Sequence, residues 1–372
     1  MNHQYNHPRF LHFLFSLFLT ACILASCGTA YLQNSKAKAF RKMLSRMDWG
    51  TDTCYVYGHK TPDADAACSS LAYARLMQSL GYNCVAKLSG PSNNETNYIS
   101  ALFDFQVPVV KSYLAPGTRL IATDHEEYSQ AVDGARQCRI LQIIDHHQED
   151  DMASPDVAFI RRKTVGATCT IVWELYQEAA IPVDDLTARI LLAGLLSDTD
   201  NLAKSNTTQE DSVAWRALTA QLHLSPERVA EIRVGMVDAL TNYSGMNDYD
   251  IFVSDYKDYD MSGNAVGIGC VEWIDYAHMD EFLDRMLDVM PEVMARKGRT
   301  KLFLMATRYA PDPAAPGKVV AEGTYLLYKG DGAREMAERA GGPSVRDGIC
   351  YSETRLGRKT HVVPQFSEML ER

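Results

Sequence analysis

Three short, largely apolar runs, Cys54–Tyr57, Arg119–Thr123 and Arg139–Ile144, each end against a string of acids and histidines. The strings are Gly58-His59-Lys60-Thr61-Pro62-Asp63-Ala64-Asp65-Ala66, Thr123-Asp124-His125-Glu126-Glu127 and Ile144-Asp145-His146-His147. A fourth, Ser197-Asp198-Thr199-Asp200-Asn201, follows the apolar Ile190–Leu196. Runs of this length bounded by polar punctuation read as strands, together with Asn83–Leu88. Helical periodicity fills Asp65–Gly81, Ala167–Ala180, Leu186–Leu196 and Gln209–Leu222. Strands alternating with helices predict an α/β fold with a doubly wound, mainly parallel sheet. In such sheets ligands collect beyond the carboxyl ends of the strands. His59, Asp124 and Asp145 all fall there, so the strings are expected to converge.

The texture changes after about Val237. Asn242–Asp260, rich in Tyr, Asp and Asn, reads as a connection. A second, smaller α/β unit follows, with strands at Ala265–Val271, Lys301–Arg308 and Val319–Leu327 and helices at Met279–Lys297 and Asp331–Ala340. Tyr309–Pro316, with three prolines, reads as a surface excursion. The expected division is 1–27 as a signal-like segment, 28–50 as a linker, 51–245 as a metal-binding domain and 246–372 as a substrate-binding domain, with the site between the two domains.

Oxygen and nitrogen donors gathered this way suit hard or borderline divalent cations such as Mn²⁺ or Mg²⁺. No cysteine stands among the candidate ligands, which argues against a structural zinc site. A net charge of −10 argues against a nucleic-acid partner. Each string also has a plainer reading. Asp63, Asp65 and Asp198 can be helix N-caps, Thr123–Glu127 an acidic turn, and Arg358-Lys359 an exposed basic pair. Taken jointly, the four strings favour a metal cluster.

The set resembles the DHH phosphoesterase superfamily, and within it the manganese-dependent (family II) inorganic pyrophosphatases with a DHHA2-type C-terminal domain. The resemblance covers roughly Cys54–Gln365. It is carried by the four strings and by Asn93-x-Glu95-Thr96, Val165-Gly166-Ala167, Lys204-Ser205, Asp255-x-Lys257, and Arg358-Lys359 followed by Val363-Pro364. It implies two divalent cations, Mn²⁺ first and Co²⁺ or Mg²⁺ as alternatives. His59, Asp63 and Asp124 would hold one, and Asp65, Asp124, His146 and Asp198 the other, with Asp124 bridging and catalytic. His147 would act on the phosphate leaving group, Asp145 would orient an imidazole, and Lys257, Arg358 and Lys359 would grip pyrophosphate. The implied reaction is hydrolysis of pyrophosphate to two phosphates. Exopolyphosphatases of the same superfamily and a non-catalytic, lipid-anchored metal or phosphate binder are the rival readings. The oligomeric state stays open, a homodimer among the options. The chain departs from the family at Gly357 (usually Ser), Glu126 (usually Asn), Thr61 (usually Asn) and Ala64 (usually Thr). Glu126 is expected to add negative charge near the metals and so to alter metal preference or turnover.

Phe13–Ala25 is apolar but short for a membrane span. It ends in Leu24-Ala25-Ser26-Cys27, which resembles the lipobox of bacterial lipoproteins and makes Cys27 the expected lipidation site and membrane tether. Against export, only Arg9 precedes the stretch while Lys36, Lys38, Arg41, Lys42 and Arg46 follow it. The cysteines from Cys54 onward show no CxxC spacing and read as reduced thiols. Two locations therefore stand side by side: a membrane-anchored lipoprotein, or the cytoplasm if translation starts at Met43 or Met47.

Overall fold

Alternation of side chains across a strand decides how the first half is layered. The computed structural model describes residues 34–148, 151–273, 278–311 and 319–371. The signal-like segment and the lipidation expected at Cys27 lie outside the described residues. In chain order, the first half contains α1 (residues 34–44), β1 (Cys54–Tyr57), α2 (Ala64–Ser79), β2 (Cys84–Lys87), α3 (Asn94–Phe103), β3 (Arg119–Thr123) and β4 (Arg139–Asp145). It continues with β5 (Phe159–Arg162), α4 (Thr168–Ala179), α5 (Asp185–Thr199), α6 (Gln209–Gln221) and α7 (Pro226–Leu240). Its five strands are all parallel, in the order β2-β1-β3-β4-β5.

Cys54, Val56, Ile121, Leu141 and Ile144 face one core, shared with α2, α4 and α5. Tyr57, Leu120, Ala122, Ile140 and Ile143 face the other. Ile140 and Ile143 share a face, an odd spacing, because the β3–β4 register slips by one residue between Leu120 and Ile121. The chain runs outward from β1 to β2 and then restarts on the other side at β3. The β1/β3 boundary is thus the switch point where crossovers diverge and a crevice opens.

The stretch expected to be a linker is helical over α1, and Phe40 and Leu44 are buried in the first core. A chain begun at Met43 would lack Phe40. α3, α7 and β5 were not expected from the sequence. β5 has no alternating burial to betray it, all four residues being half-buried at the sheet edge.

The second half contains α8 (Asp248–Phe252), β6 (Tyr256–Met261), β7 (Asn264–Trp273), α9 (Met279–Lys297), β8 (Lys301–Pro311) and β9 (Val319–Lys329). It ends with α10 (Ala333–Gly341), β10 (Ser344–Arg346), β11 (Ile349–Ser352), a π-helical turn at Arg358–Val362, and α11 (Val363–Leu370). Its six-stranded sheet, β10-β11-β9-β8-β7-β6, is antiparallel except for the β7–β8 pair. The expected connection at Asn242–Asp260 instead holds α8 and most of β6. The excursion expected from Tyr309 begins later, since β8 runs on to Pro311. No described helix is long and apolar enough to cross a membrane. Cys54, Cys68, Cys84, Cys138, Cys169, Cys270 and Cys350 are free thiols.

Candidate metal centre and its cationic face

The switch point dictates which side chains meet. His59 follows β1, Asp124 follows β3 and Asp145 ends β4, so three parallel strands deliver donors to one rim. Gly58 lets the β1 exit pass against α2, because a Cβ there would lie 2.5 Å from the Ala66 carbonyl oxygen. Asp63 caps α2, its Oδ1 accepting from the Ala66 N–H at 2.9 Å. Its other oxygen, Oδ2, lies 3.1 Å from His59 Nε2. The N-cap reading of Asp63 therefore holds alongside a site role. The N-cap reading of Asp198 does not, since it lies in the last turn of α5.

Asp65 is held from across the core. The start of α4 has no side-chain cap of its own, and its free N–H groups donate to Asp65: Thr168 to Oδ2 at 2.6 Å and Cys169 to Oδ1 at 3.0 Å. Gly194 of α5 permits this approach, because a Cβ would meet Cys169 Sγ at 2.4 Å and Asp65 Oδ1 at 2.8 Å.

Asp124 sits at φ 62°, in the left-handed region that a non-glycine residue occupies at a cost of about 1–2 kcal/mol. That conformation turns its two oxygens to different neighbours. Oδ2 lies 3.5 Å from His59 Nε2, while Oδ1 lies 3.4 Å from His146 Nε2 and accepts from Thr168 Oγ1 at 2.9 Å. Three overlapping donor groups result, and all share Asp124. His59, Asp63 and Asp124 form one; Asp65, Asp124, His146 and Asp198 form another; Asp124, His146 and His147 form a third, and within each group the donor atoms lie within 4.8 Å of one another.

The donor set fits a divalent cation on two observations. His146 Nε2 is buried and lies 3.4 Å from Asp198 Oδ2 as well as from Asp124, yet makes no hydrogen bond. Its ring is fixed from behind, with Nδ1 3.0 Å from the Val165 carbonyl. The carboxylates also crowd one another. Burial, then Asp198, pushes Asp65 up to about 7, and burial with Asp65, Asp63 and Asp198 holds Asp124 well above the usual carboxyl range. Burial keeps His59 neutral to lower pH than a free imidazole. Such a cluster is short of positive charge and rich in oxygen.

His147 differs from its neighbour. Asp145 Oδ1 accepts from the His147 ring at Nδ1, 2.8 Å away, and from the His146 N–H at 2.9 Å. This places the ring proton at Nδ1 and makes Nε2 the unprotonated nitrogen of the neutral ring. Burial, then His146 and the lysines, brings the ring well below its ordinary pKa.

The second half presents cations to this rim. Lys257, on β6, is buried, and burial with Lys359 and Arg358 lowers its ammonium from the usual lysine range. Lys359 Nζ lies 3.2 Å from Glu127 Oε1. Burial works against ionisation of Glu127, but Lys359, His147 and Lys257 outweigh it and bring the carboxyl down to about 2. Arg358 is committed elsewhere in this conformation. It donates to Asp255 Oδ1 at 2.7 Å and to the carbonyls of Asp255 and Ile268 at 3.0 and 3.3 Å. Asp255 thus anchors the Arg358-Lys359 turn to β6 and β7. At Gly357, where the family has Ser, a Cβ would come within 2.1 Å of Thr360 Oγ1.

Glu126 has a partner that the sequence did not reveal. It is buried, but its carboxylate is gripped by Arg162, with Nε donating to Oε2 at 2.7 Å and a second bond from the guanidinium to Oε1. Its charge is spent on β5. We expect Glu126→Asn to leave Mn²⁺ affinity and turnover within about twofold while lowering stability by about 1–3 kcal/mol, because Arg162 loses its carboxylate. Metal titration and thermal melting check the two arms. The sequence reading passed over Thr168, Glu127, Asp255 and the buried His125, whose Nδ1 lies 2.9 Å from the Thr123 carbonyl. Three of the four sit inside strings it had singled out, and Thr168 follows Val165-Gly166-Ala167.

Comparison with known proteins covers most of the chain. Residues 53–195 match the DHH family, N-terminal domain, and residues 235–369 match the DHHA2 domain. The manganese-dependent inorganic pyrophosphatase of Methanothrix thermoacetophila is 30% identical over 323 residues, covering 86% of this chain and 99% of that protein. A crystal structure from Methanococcus jannaschii, of a "putative family II inorganic pyrophosphatase", superposes with a TM-score of 0.74 at 26% identity, covering 86% of this chain and 100% of that one.

Proposed function

Since the chain belongs to the family of manganese-dependent, family II inorganic pyrophosphatases, a DHH domain joined to a DHHA2 domain, we propose that it hydrolyses inorganic pyrophosphate to two phosphates with two divalent cations, Mn²⁺ foremost. The observation that carries this reading is the opposition of two incomplete charge sets. A carboxylate and imidazole cluster short of cations stands on one half, and opposite it Lys257, Lys359 and Arg358 gather three cations against the paired carboxylates of Glu127 and Asp255. A pyrophosphate with its metals supplies both deficits at once; a phosphate monoester or a neutral substrate supplies less.

His59, Asp63 and Asp124 would hold one cation, and Asp65, Asp124, His146 and Asp198 the other. When bound, such a pair supplies Lewis-acid charge and acidifies the attacking water. The chain's own residues do the rest. Lys257 and Lys359 bind the phosphate oxygens, and an anion between them relieves the repulsion that depresses Lys257. Arg358 joins through its unbonded Nε, or through its terminal nitrogens once it lets go of Asp255. Asp145 holds the His147 proton at Nδ1, so Nε2 is the nitrogen that exchanges a proton with the leaving phosphate. Residues from both halves frame the site, which limits water access and aligns the ends of the substrate.

The test is phosphate release from pyrophosphate, tripolyphosphate and a short RNA oligomer with Mn²⁺, Co²⁺ or Mg²⁺. Pyrophosphate is expected to be cleaved fastest, with Mn²⁺. Faster release from tripolyphosphate would shift the reading to an exopolyphosphatase, and no release above background to a binding protein.

A further inference from the structure

Behind the donor atoms a second polar system joins the two halves. Ser197 Oγ donates to Glu95 Oε2 at 2.8 Å, and Glu95 Oε1 accepts from an Arg233 guanidinium nitrogen at 2.5 Å. Arg233 Nε donates to Asp200 Oδ1 at 2.8 Å. Asp200 Oδ2 in turn accepts from Arg355 at 3.2 Å, and the same guanidinium donates to Glu272 Oε1 at 3.2 Å. Glu95 and Arg233 are buried, and Arg355 is only a quarter exposed. Burying so many charges costs several kcal/mol per ion before pairing, so the arrangement is a poor device for stability alone.

Its position says more. Ser197 and Asp200 flank Asp198, and Arg355 lies three residues before Arg358. Directly after Asp198 the backbone is strained: Asp200, Asn201 and Leu202 have φ of 51°, 52° and 69°, three successive non-glycine residues in the left-handed region. Such a turn persists only when its surroundings hold it. Arg233 holds it from the first half and Arg355 from the second. The two carboxylates on Arg355 lie at the same distance but on different halves: Glu272 belongs to β7, in the same half as Arg355, whereas Asp200 follows α5 of the first half. The link between the halves at Arg355 therefore runs through Asp200.

We propose that Arg355 is a positioning residue for Asp198: by gripping Asp200 it fixes the strained turn behind this donor and, through the same stretch of chain, the approach of the Arg358-Lys359 turn. The inference rests on Asp198 being a metal donor, as the proposed function has it. Metal affinity and substrate affinity would then be set together by a residue that touches neither ligand.

The test measures Mn²⁺ binding by calorimetry to the metal-free full chain, then KM and kcat for pyrophosphate. The variants are Arg355→Ala, Arg355→Lys and, as a control, Arg285→Ala, whose ion pair with Asp248 joins α9 to α8 within the second half. Arg355→Ala is expected to weaken Mn²⁺ binding about tenfold and to raise KM, with kcat less affected. Arg355→Lys, which keeps the charge but loses the fork, is expected to recover part of both. Arg285→Ala should match wild type. If Arg355→Ala melts too low to assay, Arg355→Lys carries the test with an expected loss of about threefold. Mn²⁺ affinity within twofold of wild type in the folded Arg355 variants would falsify the proposal, even if their melting points fall. Wild type that binds Mn²⁺ but releases no phosphate would instead sink the proposed function and leave the binding arm to decide this one.

Discussion

Asp124→Asn is expected to lower pyrophosphate hydrolysis at least a hundredfold, about 2.7 kcal/mol of transition-state stabilisation, without unfolding the protein. Asn is the right replacement because it tolerates the left-handed backbone at this position better than Ala does. Its amide oxygen can still accept from Thr168, so the packing behind the site survives. What disappears is the charge shared by the donor groups, since Oδ1 and Oδ2 face different histidines. The substitution also turns one of these oxygens into an NH₂ donor aimed at an imidazole. A variant that folds and keeps a tenth or more of wild-type rate would show that Asp124 does not serve both cations.

The second large effect is metal-dependent stability. Saturating the metal-free protein with Mn²⁺, at about a thousand times its dissociation constant, contributes about 4 kcal/mol, or a rise in melting temperature on the order of 10 °C. The effect should depend on pH in a definite direction. Burial and Asp198 raise Asp65 to about 7 in the folded, metal-free state. Through this group, stability present below the unfolded carboxyl pKa is lost as pH rises through about 7. A cation must displace that proton, so Mn²⁺ should bind more tightly as pH rises from about 5 to about 7, by up to tenfold per pH unit for each proton displaced. Burial lowers His59 and His147 from the ordinary imidazole range, so these rings carry fewer protons to give up and steepen the curve less than free imidazoles would. Calorimetry across this range checks it; a flat affinity would mean that the crowding of carboxylates is relieved in some other way.

Much of this was legible in the sequence because the relevant signals are local. β1, β3 and β4 announce themselves as apolar runs, and their donors follow at once in the chain. The parallel topology then brings the strings together without any long-range information. What the sequence hid depends on partners far away along the chain. Glu126 looked like surplus negative charge until Arg162, on an edge strand with no burial pattern, was seen to hold it. Arg358 looked like a phosphate clamp, yet its two terminal nitrogens donate to Asp255 and to the carbonyl of Ile268, which leaves Nε as the nitrogen without a hydrogen bond. The chain from Glu95 to Arg355 spans both halves, and no periodicity or spacing records such contacts. β6 was missed because its Tyr and Asp residues resemble a loop in composition.

The tethering of Asp63 and Asp65 has a kinetic consequence. One is a helix cap and the other is clasped by two amide groups at the start of α4. These bonds come from the protein itself and fix both carboxylates in place, and the rings of His146 and His147 are likewise braced from behind. Loading the centre therefore asks for little ordering of the chain, so the entropy that a floppy ligand set would lose on binding is already spent during folding. The pace of metal uptake should then follow how fast each hydrated ion sheds its water, fast for Mn²⁺ and slow for Mg²⁺, rather than any rearrangement of the protein.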